Sequence, residues 1–91
     1  MRKVLLINIK DIKDNSIVPA NTDEKILLLA LNEVTDLELE PLIGFEYLTK
    51  LEQAIKDKIL EEKDKKVIEE VIKPFLIYGT LVYSIIILAS Y

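Results

Sequence analysis

The eighteen residues from Pro74 to Tyr91 contain no charged side chain. As an α-helix they would extend about 27 Å, which is close to the roughly 30 Å thickness of the hydrocarbon core of a bilayer. A segment this apolar is rarely left in water, so either protein or lipid has to cover it. The choice between a protein cover and a lipid cover constrains the fold and the function of the whole chain.

The composition favours a small helical protein. Of the 91 residues, 51% are hydrophobic and 31% are charged, a balance that disordered chains do not have. Lys, Glu, Ile and Leu are abundant and only two glycines occur, which favours helices over sheets. We therefore expect one all-α domain, a small bundle of three to four helices, in which residues 1–20 form an extended N-terminal arm and residues 21–91 form the helical bundle.

The N-terminal half predicts an arm followed by a helix. Apolar and polar residues alternate loosely over residues 4–12, which favours a short extended segment. Asn21 or Thr22 is a good N-cap, so the first helix is predicted from about Asp23 to Leu37. The pair Glu40-Pro41 is expected to stop it, because a residue before proline avoids the helical region.

The second half predicts two further helical stretches. Pro41–Gly44 is typical of a single helical turn ended by glycine, and the apolar spacing after it predicts a helix from about Phe45 to Leu60. A third helix is predicted to begin near Asp64. Because no turn residues flank Pro74, we expect this proline to join or kink two halves of one long helix.

Most catalytic chemistry has no basis in these residues. The chain has no cysteine and no histidine, so it lacks the commonest general base and metal ligand. Its serines have no histidine to activate them, and its adjacent glutamates lie among lysines and point about 100° apart on a helix.

The net charge of −4 argues against sequence-independent binding to nucleic acid. We expect no enzymatic activity, no cofactor, no metal and no small-molecule substrate. We also expect the protein not to be secreted, because polar residues soon interrupt the apolar run near its N-terminus.

The apolar C-terminal segment has a narrow polar seam when it is projected as a helix. Hydroxyl groups gather on about a quarter of its circumference, which suits a helix packed by neighbouring protein. A membrane anchor remains the alternative, although Lys73 stands without the basic cluster that usually flanks one. The candidate residues for the bundle core or a subunit interface are Thr80, Tyr83, Ser84, Ile87 and Tyr91.

The layout of the chain resembles a known family. Residues 17–51 read IVPANTDEKILLLALNEVTDLELEPLIGFEYLTKL, and a charged stretch and a helix with an internal Lys73-Pro74 follow them. This arrangement resembles the small helical head–tail connector proteins, also called adaptor or head-completion proteins, of tailed bacteriophages. The likeness is closest to those of phages that infect Bacteroidetes hosts, including the crAss-like group. The residues that match the family's turn and its helix-breaking proline are Pro41, Leu42, Gly44, Tyr47 and Pro74.

The resemblance implies a structural virion protein. Its subunits would form a homo-oligomeric ring, usually twelve-fold, below the portal protein in the neck of the particle, after assembly in the host cytoplasm. Such a ring continues the DNA channel, touches DNA without reading its sequence, and gives tail or stopper proteins a docking surface. Many family members continue beyond the position of Tyr91. Besides a small membrane-anchored protein, a helical binding module of regulatory or antitoxin type is a further alternative.

Overall fold

The computed structural model describes residues 4–15 and 23–90, and within these ranges it contains four helices and no strand. The prediction of a small all-α bundle is confirmed. Two of the helices are long and each contains a π-helical turn. The helices are α1 (Ile9–Asn15), α2 (residues 24–43), α3 (Phe45–Lys56) and α4 (residues 62–90).

The segment predicted as an extended arm instead contains helix α1. Asn8 caps this helix: its side-chain oxygen accepts from the Asp11 backbone N–H at 2.9 Å, and the Asp11 carboxylate accepts from the Asn8 N–H at 3.0 Å. This reciprocal pair satisfies two backbone donors that a short helix would otherwise expose. Ile7 and Ile12 are buried in the bundle core. The alternation of residues 4–12 was therefore misread, and residues 4–15 belong to the packed domain.

Helix α2 begins at Glu24, one residue after its predicted start at about Asp23. The Asp23 side chain accepts from the Lys25 backbone N–H at 2.9 Å and acts as the N-cap. Both predicted caps, Asn21 and Thr22, lie outside the described residues, as do residues 16–20 of the predicted arm.

Pro41 does not stop α2, contrary to the sequence-based prediction. The helix passes through a π-helical turn at Thr35–Leu39 and continues as α-helix over Glu40–Ile43. The Glu40 N–H donates to the Thr35 carbonyl, five residues earlier. A proline ring clashes with the carbonyl four residues before it in a regular α-helix, and the wider turn accommodates Pro41 without ending the helix.

Pro74 is accommodated in the same way within α4. The π-helical turn here is Ile68–Ile72, and the Lys73 N–H donates to the Ile68 carbonyl. Helix α4 begins at Glu62, two residues before the predicted start at Asp64, and continues beyond the proline. The expectation of two closely joined helical halves is confirmed, with the π turn as the joint.

Helix α3 begins where it was predicted and ends earlier. Gly44 separates it from α2 with φ 90° and ψ 145°, a conformation that only glycine adopts readily. The helix ends at Lys56 and not at Leu60, because Lys58 adopts a left-handed conformation (φ 58°) just after it.

The bundle is organised around the packing of α2 against the C-terminal part of α4. The two helices lie close together at Gly79: a methyl group built there would lie 2.7 Å from Val34 Cγ1. Helix α1 packs against both α2 and α4, and an ion pair between Lys73 of α4 and Asp11 of α1 at 3.3 Å joins α1 to α4. The fully buried large side chains are Ile12, Leu27, Leu31, Val34, Leu39, Leu48, Leu51, Ile72, Leu76 and Thr80.

Gly79→Ala should therefore destabilise the protein, although alanine favours helices. Overpacking against the stiff Val34 side chain should outweigh the gain of about 1 kcal/mol in helix propensity and leave a net loss of about 1–2 kcal/mol. Denaturant unfolding measures this loss. In a Val34→Ala background the same change should be neutral or stabilising, and an equal loss in both backgrounds would contradict the contact.

Candidate functional site: an exposed apolar face of the C-terminal helix

Helix α4 places the hydroxyl groups of Thr80 and Ser84 inwards. The inner face of α4, which packs in the bundle, consists of Ile72, Leu76, Thr80, Ser84 and Ile87, all of them buried. The Ser84 hydroxyl donates to the Thr80 backbone carbonyl at 2.7 Å. The Thr80 hydroxyl oxygen is also buried, but it has no hydrogen-bond partner within the described part of the chain.

Thr80→Val should stabilise the bundle by about 1–2 kcal/mol, because it removes a buried hydroxyl whose hydrogen bond is unmade and nearly keeps the volume. Thermal or denaturant unfolding measures the change. Ser84→Ala is the matched control, since its hydroxyl is satisfied and its removal should not stabilise. A loss of stability in Thr80→Val would mean that the hydroxyl has a partner in solution.

The opposite side of α4 is apolar and faces solvent. We define the outer face of α4 as five side chains whose spacing of three, four and seven residues places them on one side of the helix. Val71, Tyr78 and Ile85 recur every seven residues, the period at which a partner helix or knob packs along a helix. The exposed fractions are 63% for Val71, 71% for Tyr78, 36% for Val82, 62% for Ile85 and 56% for Ile86.

The outer face of α4 is large for so small a protein. If each of its side chains offers on the order of 80 Å² of apolar surface, the face provides about 400 Å². Contiguous apolar patches of 300–600 Å² are typically the largest on a monomer and often functional. Because this face is apolar and exposed whereas Thr80 and Ser84 are buried, it differs from the exposed side of a surface helix in water, which is polar.

A carboxylate from α2 lies beside this part of α4. The Tyr83 hydroxyl donates to Glu38 Oε1 at 2.7 Å. This hydrogen bond, partial burial and the negative charges of Glu38 and Glu33 raise the pKa of Tyr83 above its ordinary value. The contact places a carboxylate next to the middle of the Pro74–Ser90 segment.

The predicted interface residues divide between two environments. Thr80, Ser84 and Ile87 are buried inside the subunit and belong to its core. Tyr83 of α4 is half-buried and contacts Glu38 of α2. Tyr91 lies outside the described residues. Sequence analysis identified the hydroxyl seam, but missed that the apolar side opposite it stays exposed. The seven-residue recurrence along the outer face was the available signal.

The predicted turn residues lie in three places. Pro41 and Pro74 follow the π turns of α2 and α4, and Gly44 joins α2 to α3. Leu42 is 68% exposed, and Phe45, three residues later in the sequence, is 66% exposed. We call these two side chains the α2–α3 corner. Phe45 was not among the predicted site residues.

Tyr47, the last of the predicted turn residues, holds a buried carboxylate. Its hydroxyl donates to Asp64 Oδ1 at 2.8 Å, and Lys50 Nζ lies 3.8 Å from Asp64 Oδ2. Burial first, and then the hydrogen bond and charge of Asp64, raise the pKa of Tyr47. This cluster joins the first turn of α3 to the first turn of α4 and also borders an open cleft of about 270 Å³. The carboxylate is engaged on both oxygens, so the cluster is structural.

Tyr47→Phe should destabilise the protein by about 1–2 kcal/mol, because Asp64 would stay buried without its closest donor. Tyr78→Phe, at an exposed position, is the control and should have no effect on the free energy of unfolding. The folded pKa of Tyr47 lies above the ordinary 10.0. Its contribution is therefore fully present below that pH and is lost as the pH rises through the folded pKa. Unfolding measured across this alkaline range should show a smaller decline in Tyr47→Phe than in the wild type.

Two further properties of the described residues bear on function. Within residues 4–15 and 23–90, no group of three or more histidine, cysteine, aspartate or glutamate side chains is placed to hold a metal ion. The stretch Glu62–Ala89 of α4 is long and apolar enough to cross a membrane by length and composition, with a mean hydropathy of 2.0 in its most apolar window. One such helix is weak evidence for a membrane span, because the core helix of a soluble protein passes the same test; 33% of that window is buried in the bundle.

Comparison of the chain with protein-family models, with curated proteins and with solved structures found no match.

Proposed function

We propose that the protein is a structural subunit of a homo-oligomeric assembly, and that this assembly is the head–tail connector ring of a tailed bacteriophage. The ring lies below the portal protein, continues the DNA channel and presents a docking surface to tail or stopper proteins. No catalysis, cofactor or small-molecule substrate is involved. The location is the neck of the virion, after assembly in the host cytoplasm.

The outer face of α4 carries the proposal. A chain of 91 residues can build only a small core, yet six large apolar side chains of its longest helix face water, the five of the outer face and Leu88. Leaving this surface exposed favours aggregation, whereas a neighbouring subunit buries it. The all-α fold and the joined helices around Pro74 agree with the layout expected of a connector subunit.

A membrane anchor explains the same apolar face less well. Inserting α4 with the bundle intact would draw Glu38, held by Tyr83, towards the middle of the bilayer. A carboxylate at that depth costs about 2.5–3.5 kcal/mol even on the most lenient scales. The described residues flanking Pro74–Ser90 also lack the basic cluster that orients such spans.

Co-sedimentation with a portal protein tests the proposed function. The genes that flank this one should encode a portal and a major capsid protein. The purified portal should carry this chain with it through a density gradient. Neighbouring genes that encode no virion protein, or a portal that sediments without the chain, would refute the connector assignment.

Cell fractionation tests the membrane alternative. The protein expressed without tags should be recovered in the soluble fraction, because its apolar face is covered by other subunits. Ile59→Glu, which changes an equally exposed isoleucine outside α4, serves as the control and should fractionate like the wild type. Recovery of the wild type in membranes, released only by detergent, would favour the anchor instead.

A further inference from the structure

We propose that the outer face of α4 receives the α2–α3 corner of a second copy of this chain, so that the subunits assemble head to tail. The inference rests on the proposed ring and names the surfaces that form it. The occupant of the outer face is then the Leu42–Phe45 corner of the neighbouring subunit.

A ring requires two different surfaces on each subunit. A contact between identical patches closes after two copies, whereas a head-to-tail contact continues until the rotation closes the ring. The protein offers two such surfaces on different helices: the outer face of α4 and the corner with Leu42 and Phe45. The corner segment makes no extensive packing contact with α4 within its own subunit, so it is available to another.

The two surfaces supply the two elements of a knob-into-hole contact, an exposed aromatic side chain and a helical row of apolar side chains. Phe45 is an exposed aromatic side chain at the first position of α3, next to Gly44. Aromatic anchors of this kind dominate the binding energy of protein interfaces. Tyr78, Val82 and Ile85 form a row at helical spacing, and the hollows between such side chains accept a knob.

Their charges exclude one alternative pairing. Between Lys25 and Lys50 the chain has five acidic residues and no basic one, and the corner lies within this stretch. Two corners meeting each other would bring like charges together, which is unfavourable. The apolar segment Pro74–Ser90 has no charge of its own, so it does not bring a second acidic segment to the contact.

The apolar area of the outer face is about half of what one partner of a stable interface buries, so each contact is weak by itself. The outer face contributes about 400 Å² of apolar surface, and a polar rim typically enlarges such a core. A stable interface buries about 800 Å² per partner. Because each ring subunit makes two of these contacts, closure reinforces contacts that are modest singly.

Complementation between two assembly-deficient variants tests the proposal. Ile85→Glu blocks the outer face, and Phe45→Glu blocks the corner. Both positions are largely exposed, at 62% and 66%, so circular dichroism and thermal unfolding should show folded proteins. Ile59→Glu is the matched control, because it alters an isoleucine that is 68% exposed and lies on neither surface. Light scattering coupled to size exclusion measures the mass of each.

The wild type and Ile59→Glu should form oligomers larger than a dimer, and each blocked variant alone should be a monomer of 10.5 kDa. An equimolar mixture of the two blocked variants should form a dimer and nothing larger. In that mixture the intact outer face of Phe45→Glu meets the intact corner of Ile85→Glu, and no other productive pairing remains.

Three outcomes would overturn the proposal. A wild type that stays monomeric at its highest soluble concentration would show that the faces do not self-associate. If Phe45→Glu assembled like the wild type and Ile85→Glu did not assemble, the outer face of α4 would be paired with the outer face of another α4. Monomers in the mixture at its highest soluble concentration, where a single modest contact is populated, would exclude the corner as the occupant. Because these measurements need no portal, a ring that forms as proposed but binds no portal would refute only the connector function.

Discussion

The close contact between α2 and α4 at Gly79 and Val34 is the constraint on which the rest of the bundle depends. With no side chain at Gly79, the two helices come near enough for Val34 to be fully buried. That contact sets which side of α4 points inwards. Thr80 and Ser84 neighbour Gly79 on the inner face, and so the hydroxyl groups are buried. Val71, Tyr78 and Ile85, on the opposite side of the helix, are left facing water as a consequence.

Two π-helical turns let the long helices pass prolines that would otherwise end them. In both, the residue before the proline donates its N–H to the carbonyl five residues earlier, Thr35 in α2 and Ile68 in α4. A π turn adds a residue to the helix and changes the direction of the side chains that follow. The orientation of the outer face of α4, and of Leu42 at the end of α2, thus depends on these turns.

The subunit by itself buries some polar groups and exposes many apolar ones. The Thr80 hydroxyl lies in the core without a hydrogen-bond partner among the described residues, while Tyr78 and Ile85 face water. Both features oppose the stability of an isolated monomer. An assembly that covers the outer face offsets this cost. For that reason the exposed surfaces are the ones that we propose for contacts between copies of the chain, whereas the Tyr47–Asp64 and Lys73–Asp11 contacts support the bundle internally.

The sequence by itself determined the helical class, the start of α3 after Gly44 and the absence of histidine and cysteine chemistry, because these follow from composition and local spacing. The seam of Thr80 and Ser84 was also visible as a pattern. Only the tertiary structure decided that this seam faces inwards, since the choice depends on the approach of Gly79 to Val34, forty-five positions apart. The continuation of α2 through Pro41 could likewise not be read locally, because a π turn stabilised by packing overrides the preference of a residue before proline.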